Sequence, residues 1–129
     1  MNDAKLAQFA KQNYLNLESY RKNGQPVLTP VWFAEEDGVF YVYSLADAWK
    51  VKRVRNNPRV RIAPCDMRGN VKGEWVDAEA RILAAAEAEH GHELLRQKYG
   101  WMKRIGEIFS RIRKREHAMI AIRIDRHPN

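Results

Sequence analysis

Apolar and polar positions divide this chain into short alternating segments separated by turn signals. From Asp3 to Lys11, Leu6, Phe9 and Ala10 recur at helical spacing behind an aspartate able to cap, which predicts a short helix. The stretch from Tyr14 to Tyr20 then alternates with the two-residue period of a strand. Asn23-Gly24 follows, a dipeptide suited to the positive φ angles of a tight hairpin turn. Pro26 to Ala34 reads as the returning strand, Glu35 to Gly38 as a second turn and Val39 to Ser44 as a third strand. The first half of the chain therefore predicts an antiparallel meander.

Two of these strands are apolar on both faces. Val27, Val31 and Phe33 oppose Leu28, Pro30 and Trp32 in one, and Val39, Tyr41 and Tyr43 oppose Phe40 and Val42 in the other. A sheet wetted on one side would carry polar residues on that side. A closed barrel whose outer wall is also covered, by a helix, a second subunit or a flat ligand, fits the pattern. Pro30 has no N–H to give to a ladder, so the backbone there is free to face something other than a strand.

Beyond Ser44 the period changes. A loop opens into a short helix that runs to Asn56, with Asp47 as its expected N-cap, Val51 and Val54 turned inward and Asn57-Pro58 as its stop. Arg59 to Cys65 is a fourth strand, and Arg68-Gly69-Asn70 turns the chain. A fifth strand places Val76, Ala78, Ala80 and Ile82 inward and Trp75, Asp77, Glu79 and Arg81 outward. Two helices, Ala84 to Tyr99 and Trp101 to Lys114, are divided by Gly100, and Ile120, Ile122 and Ile124 alternate in a sixth strand. No repeat, low-complexity stretch or linker interrupts this order, so residues 1–129 read as a single domain.

Composition narrows the chemistry. A single cysteine, Cys65, excludes an internal disulfide framework and any zinc site built from several cysteines. The apolar runs fall well short of the ~20 residues of a membrane span. No basic flank leads into an apolar stretch at the N-terminus, so a soluble, cytoplasmic protein is expected.

Charge is uneven. The chain carries +7, and residues 50–72 alone hold eight basic side chains against Asp66, a surplus equal to that of the whole chain. An anionic partner is implied, and nucleic acid is one candidate. Only Trp49 and Phe109 stand among the basic residues as stacking aromatics, which disfavours that reading.

Catalytic constellations are thin. His90 and His92 lie two apart and point away from each other on a helix, His117 and His127 stand alone in the sequence, and Cys65 reads as an inert small apolar residue. The strongest site signal runs from Ser44 to Arg53. There a strand ends, a loop follows, and a helix begins with Lys50 in its first turns and Arg53 one turn on. Free N–H groups and the positive dipole end, joined by a lysine and an arginine on one face, suit a phosphate. Trp75 is an aromatic on an otherwise charged strand face, where a partner or a ring would cover it.

The ordered series Gly24-Gln25-Pro26, Thr29-Pro30-Val31-Trp32-Phe33, Tyr41-Val42-Tyr43-Ser44 and Lys50 through Asn57-Pro58-Arg59-Val60 resembles the pyridoxamine 5′-phosphate oxidase-related split β-barrel proteins. The likeness is closest to the deazaflavin-dependent oxidoreductase branch. Ala63 to Gly69, Gly73-Glu74-Trp75 and Lys98-Tyr99-Gly100-Trp101 extend it over about residues 12–125. The resemblance implies a mainly β (α+β) fold, a six-stranded antiparallel split β-barrel of the FMN-binding type with three to four peripheral helices. It further implies a homodimer that holds FMN or the 8-hydroxy-5-deazaflavin coenzyme, factor 420, between subunits and transfers hydride to a small-molecule substrate. By position, Lys50 would bind the cofactor phosphate with Arg53 and Ser44 as helpers. Backbone at Pro30, Val31 and Trp32 would lie along the ring system, and Trp75 would approach from the interface side. No motif matches the pyridoxamine phosphate-binding residues of the oxidase itself. A non-catalytic flavin or haem binder on the same barrel, and a nucleic-acid module using residues 50–72, are the alternatives.

Overall fold

A computed structural model describes residues 3–100 and 117–125. Three helices and seven strands follow one another as α1 (Asp3–Ala7), β1 (Tyr14–Tyr20), β2 (Pro26–Trp32), β3 (Ala34–Glu36), β4 (Val39–Leu45), α2 (Trp49–Asn56), β5 (Arg59–Cys65), β6 (Val76–Ile82), α3 (Ala85–Tyr99) and β7 (His117–Ile124). The expected helix at Trp101 to Lys114 lies outside the described residues.

Every strand pairing is antiparallel, in the order β2-β1-β5-β6-β7-β4-β3. The β1–β2 hairpin turns where expected, with Gly24 at φ +88° and its N–H bonded to the Arg21 carbonyl. The two outermost strands, β2 and β3, are separated in sequence by Phe33 alone. One residue cannot cross the width of a flat seven-stranded sheet, since neighbouring strands stand ~4.8 Å apart. The sheet is therefore curled into a half-barrel that brings its two edges together.

That junction corrects the expected count of six strands to seven. Pro26 to Ala34 does not form one strand, because the backbone of Phe33 is claimed by side chains of α3. The Phe33 N–H donates to the Tyr99 hydroxyl at 3.3 Å, and its carbonyl accepts from Tyr99 Oη at 2.7 Å and from Lys98 Nζ at 2.8 Å. With both groups occupied, Phe33 leaves the ladder, and the chain steps from one sheet edge to the other.

Inside the half-barrel, Leu15, Leu17, Phe40, Val42, Ile62, Ile120 and Ile122 are fully buried. Each such side chain contributes about 1.5–3 kcal/mol by leaving water. α2 packs on β1 and β6 and sends Val51 and Val54 into this core, as their three-residue spacing predicts. Its cap differs from expectation: Ala48 occupies the N-cap position and no side chain caps the helix.

α3 covers the outer face of β3, β4 and β7, where Ala34, Met119 and Ala121 join Leu95 and Tyr99 in a second core. This helix is the cover that the second apolar face of β4 required. A Cβ on Gly91 would stand 2.9 Å from the Tyr41 ring and 3.0 Å from Met119, so the missing side chain sets how closely α3 approaches the sheet. On β2 the outer face stays open at Leu28 and Pro30.

Candidate anion and cofactor site

α2 carries the basic side chains Lys50, Lys52, Arg53 and Arg55. Its first turn holds no acidic residue, and with no capping side chain the positive end of the helix stands uncompensated. Lys50 is half-buried, and burial, then the nearby Arg53 charge, hold its ammonium below the ordinary lysine range. Arg53 donates from Nε to the Ser19 hydroxyl at 2.7 Å. Burial and the Arg21 guanidinium likewise hold the Arg53 pKa below its usual value. Among the described residues, Arg21, Lys50, Lys52 and Arg53 form no ion pair with a carboxylate. Tyr20, Arg21, Lys22, Trp49, Lys52 and Arg53 line a cavity of about 410 Å³, where Lys52 Nζ lies 4.4 Å above the Trp49 ring and Trp49 is 71% exposed.

The arginines of β5 behave differently. Arg59 pairs with Asp125 and lies 3.8 Å from Glu79, while Arg61 reaches Glu18 at 3.5 Å and Asp77 at 3.9 Å. The two β5 arginines are thus neutralised by carboxylates on neighbouring strands and at Asp125, whereas Lys50, Lys52 and Arg53 of α2 are not, and Arg68 and Lys72 lie in the connection that follows β5. Like charges held close in a partly dry setting repel, and a bound anion relieves that repulsion.

The remaining predicted residues are spread more widely. Ser44 is buried, and its hydroxyl donates to the Leu45 carbonyl; Ser19, not Ser44, is the hydroxyl bonded to Arg53. Pro30, Val31 and Trp32 close β2, which pairs with β1 alone among the described strands, so its other backbone edge has no ladder partner. Val31 points into the core, and Trp32 stacks on Tyr99 at 5.6 Å and meets Tyr14 at 6.3 Å. Opposite Pro30 in register is Asn16, whose Nδ2 donates to the Gly69 carbonyl while its buried Oδ1 has no described partner. Trp75 lies beneath Arg61, whose guanidinium is 5.2 Å from the ring centre.

Three arrangements escaped sequence reading. Ser19 sits with Leu15 and Leu17 on the inward face of β1, and a hydroxyl on that apolar face was the visible signal for it. Lys98 and Tyr99 bond the Phe33 backbone from 65 and 66 residues away, beyond any local pattern. His92 and His117, isolated in the sequence, are neighbours in space, because α3 lies across β7.

With this geometry in place, residues 1–127 match the sequence family described as pyridoxamine 5′-phosphate oxidase. The chain belongs to the pyridoxamine 5′-phosphate oxidase family. Solved structures agree on the fold. The haem storage protein HutZ from Vibrio cholerae is 15% identical with a TM-score of 0.68, covering 97% of this chain and 91% of that one. A conserved hypothetical protein from Mycobacterium tuberculosis is 23% identical with a TM-score of 0.72, over 98% and 82% of the two chains. An FAD-binding protein from Mesorhizobium loti is 22% identical with a TM-score of 0.61, over 95% and 85%. No curated protein matches the sequence. The pyridoxamine 5′-phosphate oxidase fold thus carries neighbours of differing ligand chemistry. Among the described residues, no helix is long and apolar enough to cross a membrane.

Proposed function

We propose that this chain binds a phosphate-bearing flavin-type cofactor, FMN or the 8-hydroxy-5-deazaflavin coenzyme, and works as a homodimeric oxidoreductase on a small-molecule substrate. The observation that carries the reading is the pair Lys50 and Arg53, half-buried, mutually repelling and without a carboxylate partner among the described residues. Such a pair suits a dianionic phosphate, which accepts several charge-assisted hydrogen bonds at once. Ser19 fixes the Arg53 guanidinium, and the uncapped first turn of α2 adds N–H donors. The edge of β2 left without a ladder partner at Pro30, Val31 and Trp32 supplies a wall for a ring system. Trp75 is assigned to the side that meets the second subunit. Ser44 bonds the Leu45 carbonyl at the end of β4, where the loop to α2 begins.

A bound flavin or deazaflavin would supply hydride transfer, and the protein's part is position, electrostatics and exclusion of water. Lys50 and Arg53 hold the anionic tail, and β2 orients the ring. The paired arginines of β5 interrupt what would otherwise be a continuous basic face, which favours a small anion over nucleic acid.

The absorbance spectrum of the purified protein and titration with each cofactor test this reading. Binding of one of them with a dissociation constant below ~100 μM, about 5.5 kcal/mol, is expected. Failure of both to bind, or a spectrum showing haem alone, overturns it; the latter outcome selects a non-catalytic haem binder.

A further inference from the structure

Where α3 crosses β7, His92 of α3 and His117 at the start of β7 stand with ring centres 5.1 Å apart and planes at 88°. Tyr43 walls the pair, 5.3 Å from His92 and stacked on His117 at 5.4 Å. His92 is only 9% exposed. His117 is exposed, which gives the pair a side open to solvent.

We propose that His92 and His117 form a two-imidazole site for a late first-row divalent metal ion such as zinc, with solvent completing its coordination. The spacing fits. A zinc–nitrogen bond of about 2.0–2.1 Å plus about 1.2 Å from nitrogen to ring centre, with tetrahedral angles, sets two ligating imidazoles about 5.2 Å apart. Imidazole nitrogen suits zinc, copper and nickel. Metal ligation needs neutral rings, the form imidazole takes above its ordinary titration range. His90 is excluded from the site, since it turns to Glu36 and Tyr41. Gly91 sets the approach of α3 to Met119, the residue two beyond His117 on the same strand face.

Zinc sulfate titrated into the purified protein at neutral pH, followed by calorimetry, tests the assignment. One zinc per chain is expected, weakened at least about tenfold in His92→Ala and His117→Ala and unchanged in His90→Ala. Because His92 is buried, its variant can lose stability; His117 is exposed, so His117→Ala carries the decision. Substituting Cu²⁺ adds an independent readout, with two nitrogen ligands expected in its electron paramagnetic resonance spectrum. Absence of saturable zinc binding, or binding that His117→Ala leaves unchanged, overturns the site.

Discussion

Arg53 donates from Nε to the Ser19 hydroxyl at 2.7 Å, joining the cationic helix α2 to a side chain fully buried on the inner face of β1. The bond fixes the guanidinium's direction without neutralising it, because a hydroxyl accepts the hydrogen bond and brings no charge. Arg53 is therefore positioned, still charged, beside Lys50 and Arg21. That is the arrangement the proposed phosphate site requires.

Removing either helix cation should weaken cofactor binding. A hydrogen bond to a charged group is worth about 1.5–3 kcal/mol, so Lys50→Ala and Arg53→Ala should each raise the FMN dissociation constant roughly 10- to 150-fold in a fluorescence titration. Arg59→Ala, which removes a cation already paired with Asp125, should leave that constant unchanged.

The strand break at Phe33 depends on one hydroxyl. Tyr99→Phe keeps the ring stacked on Trp32 but leaves the buried Phe33 N–H without its described acceptor. A loss of about 1–3 kcal/mol is expected, seen as a lower midpoint in urea unfolding. An unchanged midpoint would show that the β2–β3 junction does not rest on this contact.

Lys98 gives the fold a pH dependence. Burial lowers its ammonium from 10.5 to about 8, and the neutral amine still has the N–H donors for the Gln12 and Phe33 carbonyls. Between about 8 and 10.5, the unfolded chain holds a proton that the folded chain has released. Stability contributed by this residue therefore rises with pH across that window. Urea midpoints at intervals through it should shift in favour of the native protein relative to Lys98→Met; a constant difference would contradict the assignment.

Gly91→Ala sets two effects against each other. Alanine favours the helix by ~1 kcal/mol. Its Cβ would stand 2.9 Å from the Tyr41 ring, and overpacking of that kind costs about 1–3 kcal/mol. Net destabilisation is the expected result, measured as a lower thermal midpoint.

Much of this architecture was legible in the chain. Alternation located β1, β4, β5, β6 and β7, Asn23-Gly24 located the first hairpin, and Val51 and Val54 located the buried face of α2. The charge surplus led to Lys50 and Arg53, which both lie on α2. What stayed hidden was whatever depends on distant partners. Nothing near Phe33 in sequence signals that Lys98 and Tyr99 will take its backbone bonds and divide a strand. Nothing near His92 signals His117, and nothing near Arg61 signals Glu18, although the acidic outward face of β6 foretold its pairing with Asp77. The capping expectation at Asp47 failed for a local reason: the helix begins one residue later, with Ala48 at its cap.

The most direct test of the phosphate assignment compares FMN with riboflavin, which carries the same ring and lacks the phosphate. The account predicts that the native protein binds FMN at least about tenfold more tightly, and that the preference disappears in the Lys50→Ala, Arg53→Ala double variant. Equal affinity for the two flavins in the native protein, or a preference that survives the double substitution, would contradict it.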